Sequence, residues 1–359
     1  MAALSAVPNI SVFGMGGNGE SSTFVGMILL FTKIGVGFAG IIGLLLYHYQ
    51  DNLLYIPNPP NFPVTPNDNP VGFRSPNEWN KQAKTVKRYG GSPIDFEDHI
   101  LDTPDGVKLH AWLLLNKDSE NVPTLIYFHG NAGNMGFRLK NAAEMYALVG
   151  INILMMDYRG YGASTGTPNE KGLNIDADTV LKFVKSHPKL INSPVLLFGR
   201  SLGGAVCVSL AKRYPDLVDA VILENTFLSV SAMVDRLMPY VAVFKSLILR
   251  IKWNSDELIG DLKQPIMFIS GDSDQLVPPS HMKGLHERAK TSRFIDFFSV
   301  GGGTHNDTWE VAGVGYYLRM RQFIEFGKIG RANAQCDAVG VADRSTSSIP
   351  TMKTDFSVK

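Results

Sequence analysis

Hydrophobic and polar positions divide the chain into five regimes. Residues 1–23 are rich in Gly, Ser and Asn with no apolar period, which predicts a disordered leader. Residues 24–47 are apolar except for Thr32 and Lys33. A run of about 24 residues is long enough to span a bilayer with some tilt. It is too long for a signal-peptide core, and no small-residue cleavage site follows at Leu45-Leu46-Tyr47-His48. Tyr47 and Tyr49 suit a membrane interface. Lys33 argues instead for a buried or membrane-surface helix. So long a helix near the terminus would lack a burial partner, so a transmembrane anchor is expected. Residues 48–92 are Pro- and Asn-rich and predict an extended linker.

From residue 93 the pattern changes to short apolar runs alternating with amphipathic stretches. Asp95–Leu101 and Val107–Leu115 flank Thr103-Pro104-Asp105-Gly106 and predict an antiparallel hairpin. Strands are then expected at Thr124–Phe128, Ile151–Met156, Val195–Phe198, Ala220–Leu223, Ile266–Ile269 and Phe294–Phe298, with helices between them and a last one near Val311–Phe326. This rhythm predicts an α/β domain over residues 93–327, its mostly parallel sheet covered by helices on both faces. Residues 227–263 interrupt it with extra amphipathic helix, read as a short cap. Residues 328–359 are polar and Ser/Thr-rich and are expected to be disordered.

Composition mainly excludes. In 359 residues, 34 Lys and Arg nearly balance 33 Asp and Glu, so no electrostatic footprint for nucleic acid exists. Two cysteines, Cys207 and Cys336, rule out a disulfide framework. Cys207 falls in an apolar helix and reads as an inert core thiol. No His/Cys/Glu cluster has metal-ligand spacing and no phosphate-loop lysine follows Gly199–Gly204, so no metal or cofactor is expected.

One stretch carries chemistry. Val195–Phe198 reads as a buried strand, the residues after Gly204 as a helix, and between them stands Gly199-Arg200-Ser201-Leu202-Gly203. An abrupt strand-to-helix turn strains its middle residue and lifts that hydroxyl above the sheet. Residues two before and two after then approach so closely that only glycine fits. Ser201 is therefore the candidate nucleophile. The candidate base is His305, in the Gly-rich loop Gly301–Thr308 after the last strand, a better placement than His99, His110, His129, His187 or His281. Asp274, directly after the strand before it, is the candidate orienting acid, with Asp272 and Glu224 as alternatives. The Ser, Asp, His order fits the nucleophile-elbow hydrolases. Oxyanion donors are expected from the backbone N–H of Leu202 and of Asn131 in His129-Gly130-Asn131-Ala132-Gly133. Met233, Leu237, Val241, Phe244 and Ile248 recur at helical spacing in the cap and are candidates for an acyl-chain lining, unless they only pack on the core.

These segments, with Asp157–Ser164, Glu224–Phe227, Ser273–Pro279 and Gly303–Trp309, resemble the α/β-hydrolase superfamily and, within it, its bud-emergence-type membrane-anchored branch. The resemblance spans about residues 51–326. It implies an α/β-hydrolase fold, a serine hydrolase with Ser201, Asp274 and His305 as its triad, and a single-pass type II signal anchor with the domain outside the cytosol. The charge pattern points the other way, because Arg74, Lys81, Lys84, Lys87 and Arg88 follow the apolar run and none precedes it. The sequon Asn306-Asp307-Thr308 fits a lumenal domain, although it abuts His305. The expected partners are the lipid bilayer and an acyl-bearing substrate, with ester or thioester favoured by the apolar cap and the anchor. A peptidase or amidase, or a silent membrane-tethered interaction protein on the same scaffold, are the alternatives. No feature bears on oligomeric state.

Overall fold

The computed structural model describes residues 18–81 and 93–327. The expected disordered tail lies outside them, as do residues 1–17 of the leader and 82–92 of the linker. Helix α1 (Asn18–Leu54) runs well past the apolar stretch. Among the described residues it is the one helix long and apolar enough to cross a membrane, over Phe24–Leu54. It stops at Leu54, shortly before Pro57, where a helix cannot readily continue.

The expected linker is corrected over its described part. Residues 55–81 fold back onto the domain, with Tyr55, Asn69 and Trp79 buried. Trp253 Nε1 donates to Tyr55 Oη at 2.9 Å, and Ile56 pairs with Ala132. Asn69 and Asn134 exchange side-chain hydrogen bonds of 2.7 and 3.0 Å, and α2 (Pro76–Lys81) carries Trp79. Proline and asparagine content describes the backbone, whereas burial here depends on two isolated aromatics, which a composition reading does not weigh.

The rest follows the expected alternation. In chain order come β1 (Asp95–Asp102), β2 (Lys108–Leu115), β3 (Thr124–Phe128), α3 (Leu139–Val149), β4 (Asn152–Met156), α4 (Glu170–Ser186), β5 (Val195–Arg200), α5 (Leu202–Arg213) and β6 (Ala220–Glu224). The cap holds α6 (Val230–Leu237), α7 (Pro239–Ala242), α8 (Lys245–Ile248) and α9 (Ser255–Leu258). β7 (Ile266–Gly271), α10 (Pro279–Arg288), β8 (Ile295–Val300), α11 (Thr308–Ala312) and α12 (Val314–Phe326) complete it. The last two were expected as one helix, and Gly313, at φ 54°, breaks it.

The described strands form one sheet in the order β1-β2-β4-β3-β5-β6-β7-β8. β1, β2 and β4 pair antiparallel, and from β4 to β8 the pairing is parallel. Side chains alternate between two cores: Ile126 and Phe128 join one face, Leu125 and Tyr127 the other. Burial on both faces explains why the central strands are continuously apolar. The chain leaves β3 towards β4 on one side, then returns to place β5 on the other. This reversal opens a crevice at the carboxyl ends of β3 and β5, where open α/β sheets bind ligands.

Candidate active site

Ser201 occupies that crevice end, immediately after β5, with φ 54° and ψ −119°. An L-residue held there costs about 1–3 kcal/mol, so the surroundings must impose it. A Cβ on Gly199 would lie 2.2 Å from Gly203 O, and one on Gly203 2.0 Å from Phe128 O. Both neighbours are backbone and cannot step aside. The end of β6 clamps the turn: Ser201 N donates to Glu224 O at 2.9 Å, and Thr226 Oγ1 donates to Ser201 O at 2.6 Å.

Of the three carboxylates weighed for the orienting role, Asp274 meets the imidazole, with Oδ2 2.7 Å from His305 Nδ1. Its Oδ1 accepts from the N–H groups of Leu276 and Val277, each at 2.9 Å. The carboxylate is thus fixed at both oxygens. It holds the proton on His305 Nδ1 and leaves Nε2 as the basic nitrogen. Asp272 turns to its own loop and accepts from Gly302 N at 2.7 Å. Glu224 is buried on Arg200, whose Nε and Nη2 reach it at 3.0 and 2.9 Å, and on Tyr316 Oη at 2.9 Å.

The sequence reading missed Asn225. Its side-chain amide donates to Thr304 O at 3.0 Å, His305 O at 3.2 Å and Thr308 Oγ1 at 2.8 Å. Its Oδ1 accepts from Gly271 N at 2.8 Å. One side chain therefore ties the histidine loop to β7, while its neighbours Glu224 and Thr226 hold the serine turn. Asn225 itself sits at φ 47°, which asparagine tolerates better than most residues. The available signal was an asparagine at the carboxyl end of a buried strand.

Leu202 opens α5, so its N–H belongs to the first helical turn, which has no intrahelical acceptor. The loop after β3 comes alongside: a Cβ on Gly130 would contact Ser201 Cβ and Arg200 O at 3.7 Å. Asn131 is pinned from behind. Tyr161 Oη donates to its Oδ1 at 2.8 Å and its O at 3.2 Å, and its side-chain amide donates to Leu54 O at the end of α1.

Beneath this loop His129 and Asp157 are buried, His129 Nε2 lying 3.9 Å from Asp157 Oδ1. Burial raises the Asp157 carboxyl to about 7 and lowers the His129 imidazole to about 3. Asp157 therefore takes up a proton on folding, a contribution present in acid and lost as pH rises through about 7. His129 sheds one, a contribution present at neutrality and lost as pH falls towards about 3. In mild acid the two oppose each other. Acidification from neutrality to about pH 5 is expected to stabilise His129→Gln and destabilise Asp157→Asn, with the parent between them. Melting temperatures at the two pH values check this, and parallel shifts in all three proteins would refute it.

The cap positions scatter. Met233 packs half-buried against the core. Leu237 and Phe244 are exposed, Val241 is half-buried, and Ile248 lies beside Gly43 of α1, where a Cβ would come within 3.8 Å of its Cδ1. Asn306 is exposed, but Thr308 of its sequon is buried. One cluster the linear spacing hid is Glu97, His99 and His187, at the sheet edge formed by β1. There both His Nε2 atoms share Glu97 Oε2 at 2.9 and 3.0 Å, and Lys189 Nζ approaches its other oxygen at 3.7 Å. The carboxylate is thus already engaged by side chains of the protein. A surface groove that includes Pro194, Asp219, Gln264 and Phe294 lies at the amino ends of β5–β8, away from Ser201.

The family of serine aminopeptidases S33 is matched over residues 119–258. The chain is 35% identical over 321 residues to the alpha/beta hydrolase domain-containing protein WAV2 of Arabidopsis thaliana, covering 83% of this chain and 96% of that one. It is 36% identical over 301 residues to protein bem46 of Schizosaccharomyces pombe, covering 82% and 90%. An esterase structure from Pyrococcus furiosus superposes with a TM-score of 0.55 at 22% identity, covering 67% of this chain and 93% of that one. The chain belongs to the α/β-hydrolase family, in the branch that includes bem46 and WAV2.

Proposed function

We propose that this protein is a membrane-anchored serine hydrolase that cleaves acyl esters or thioesters through an acyl-enzyme. What supports the reading is a strained, elbow-mounted Ser201 and a His305–Asp274 couple whose Nδ1 and Oδ2 lie 2.7 Å apart, each tied to the Glu224–Thr226 segment. Ser201 Oγ attacks the acyl carbon while His305 Nε2 takes its proton. The N–H groups of Leu202 and Asn131 receive the charge that develops on the carbonyl oxygen. His305 then protonates the departing alkoxide or thiolate, and Asp274 stabilises the imidazolium throughout. A water activated by the same imidazole releases the acid and restores Ser201.

Labelling of the full-length chain in membranes with a fluorophosphonate tests the chemistry. Covalent labelling of the native but not the heat-denatured protein is expected. No labelling would favour the silent scaffold, and preference for peptides over esters and thioesters in a substrate panel would favour the peptidase.

Anchoring is assigned to α1, in the type II orientation that leaves Asn306 outside the cytosol. The protein is expected to stay with membranes through carbonate washing, and its domain to resist protease in sealed vesicles. Release by carbonate would end the spanning reading, and cleavage of the domain would reverse the orientation.

A further inference from the structure

We infer that the exposed apolar face of the cap is seated in the bilayer beside α1, so that the substrate is drawn from among membrane-resident acyl lipids. This rests on the anchoring read above. Between Leu237 and Leu247 the cap turns Leu237, Met238, Tyr240, Val243, Phe244 and Leu247 outward, with Tyr240 92% and Leu247 80% exposed. The one charged side chain in that interval, Lys245, is paired with Asp235. A contiguous apolar surface of this kind marks an interaction site.

What covers it follows from where the cap is fixed. Gln50 is buried on α1, and its Oε1 accepts from the N–H groups of Arg250 and Ile251 at 2.8 and 3.0 Å. Its Nε2 donates to Ile248 O at 3.2 Å. Arg250 Nε donates to Tyr47 O at 3.2 Å, and Nη2 pairs with Asp51. Further up the same side of α1, Gly43 lacks a side chain where Ile248 packs. Gly43 and Gln50 are seven residues apart, about 10 Å along the helix. Tyr47, His48, Tyr49, Gln50 and Asp51 suit a headgroup layer. Ile248, which follows Leu247 of the exposed run, thus stands about one turn deeper than that layer, beside the exposed Ile41, Leu44 and Leu45 of the span. At that depth the surrounding medium is lipid, and burying aromatic and aliphatic side chains there follows the logic of interfacial helices. The cap and α1 then form one continuous lipid-facing surface, which a soluble protein partner would not match.

The test uses the full-length chain with Cys336→Ser, leaving Cys207 buried. To it Tyr240→Cys, Leu247→Cys, Phe31→Cys or Glu120→Cys is added one at a time, and the protein is labelled with an environment-sensitive fluorophore and reconstituted in phosphatidylcholine vesicles containing doxyl-labelled lipid. Strong quenching at 240 and 247, as at 31 within α1, and none at 120 before β3 is expected. Quenching at 31 alone would overturn the inference and leave the anchor standing. No quenching at 31 either would remove the anchor and the inference together. A blue-shifted but unquenched probe at 240 and 247 would assign the face to a protein, a second copy included, and equally overturn it. In a second arm, Tyr240→Ser with Leu247→Ser should lower turnover of a bilayer-held long-chain ester roughly tenfold. Fluorophosphonate labelling should be unchanged, and undiminished turnover of the long-chain ester would count against the inference.

Discussion

Replacing Ser201 with alanine is expected to lower ester and thioester hydrolysis by roughly 10³-fold or more and to abolish fluorophosphonate labelling. The loss should be in kcat, because in the proposed mechanism the hydroxyl forms a covalent bond during the reaction and adds little to ground-state binding. The fold should survive, since Ser201 N and O, not its hydroxyl, make the contacts to Glu224 and Thr226. Ser201→Gly sharpens the test. With φ 54° available to glycine at little cost, that variant should be equally inactive yet more stable than the parent by about 1 kcal/mol. Measured kcat and melting temperature would then move in opposite senses, as expected where strain is maintained for function. Undiminished hydrolysis in either variant would remove Ser201 from the mechanism.

Asp274→Asn should cost about 10⁴-fold in kcat, because an amide in place of the carboxylate favours the wrong histidine tautomer and cannot stabilise the imidazolium. Asp272→Asn should cost far less, since that carboxylate serves Gly302 N in its own loop. Glu224→Gln should fail differently. Removing its charge leaves the Arg200 guanidinium buried without a counter-ion, a loss of about 3–5 kcal/mol in stability. The fraction that remains folded should turn over near the parent rate. Kinetics normalised to folded protein separate the two outcomes, and a large kcat loss confined to Glu224→Gln would transfer the orienting role to that residue.

The hydrolase character of the chain was legible locally because its signals are local. The glycine at 199 answers to Gly203 O, brought close by a single tight turn and so a contact already present within five residues, whereas Gly203 makes room for Phe128 O at the end of β3. The continuous apolar strands likewise report burial on both faces, and with it the parallel sheet. The long apolar run determines a helix fit to cross a membrane. Three carboxylates at suitable strand ends, by contrast, could be ordered from sequence only by their placement, with Asp274 first and Asp272 and Glu224 as alternatives. The choice between Asp274, Asp272 and Glu224 depends on side-chain direction at strand ends and on Arg200 and Tyr316, which meet only when the sheet is assembled.

Asn225 was silent for the same reason, because its partners at positions 271, 304, 305 and 308 are remote in the chain. The sequence by itself determined the chain order of the candidate nucleophile, acid and base, Ser201, Asp274 and His305, and the apolar helix that precedes them. Only the tertiary structure decided that residues 55–81 pack on the domain, which carboxylate faces His305, and that the cap is bolted to α1 through Gln50. Those outcomes rest on hydrogen bonds and packing between distant segments, whose energies depend on three-dimensional register and leave no periodic trace along the chain.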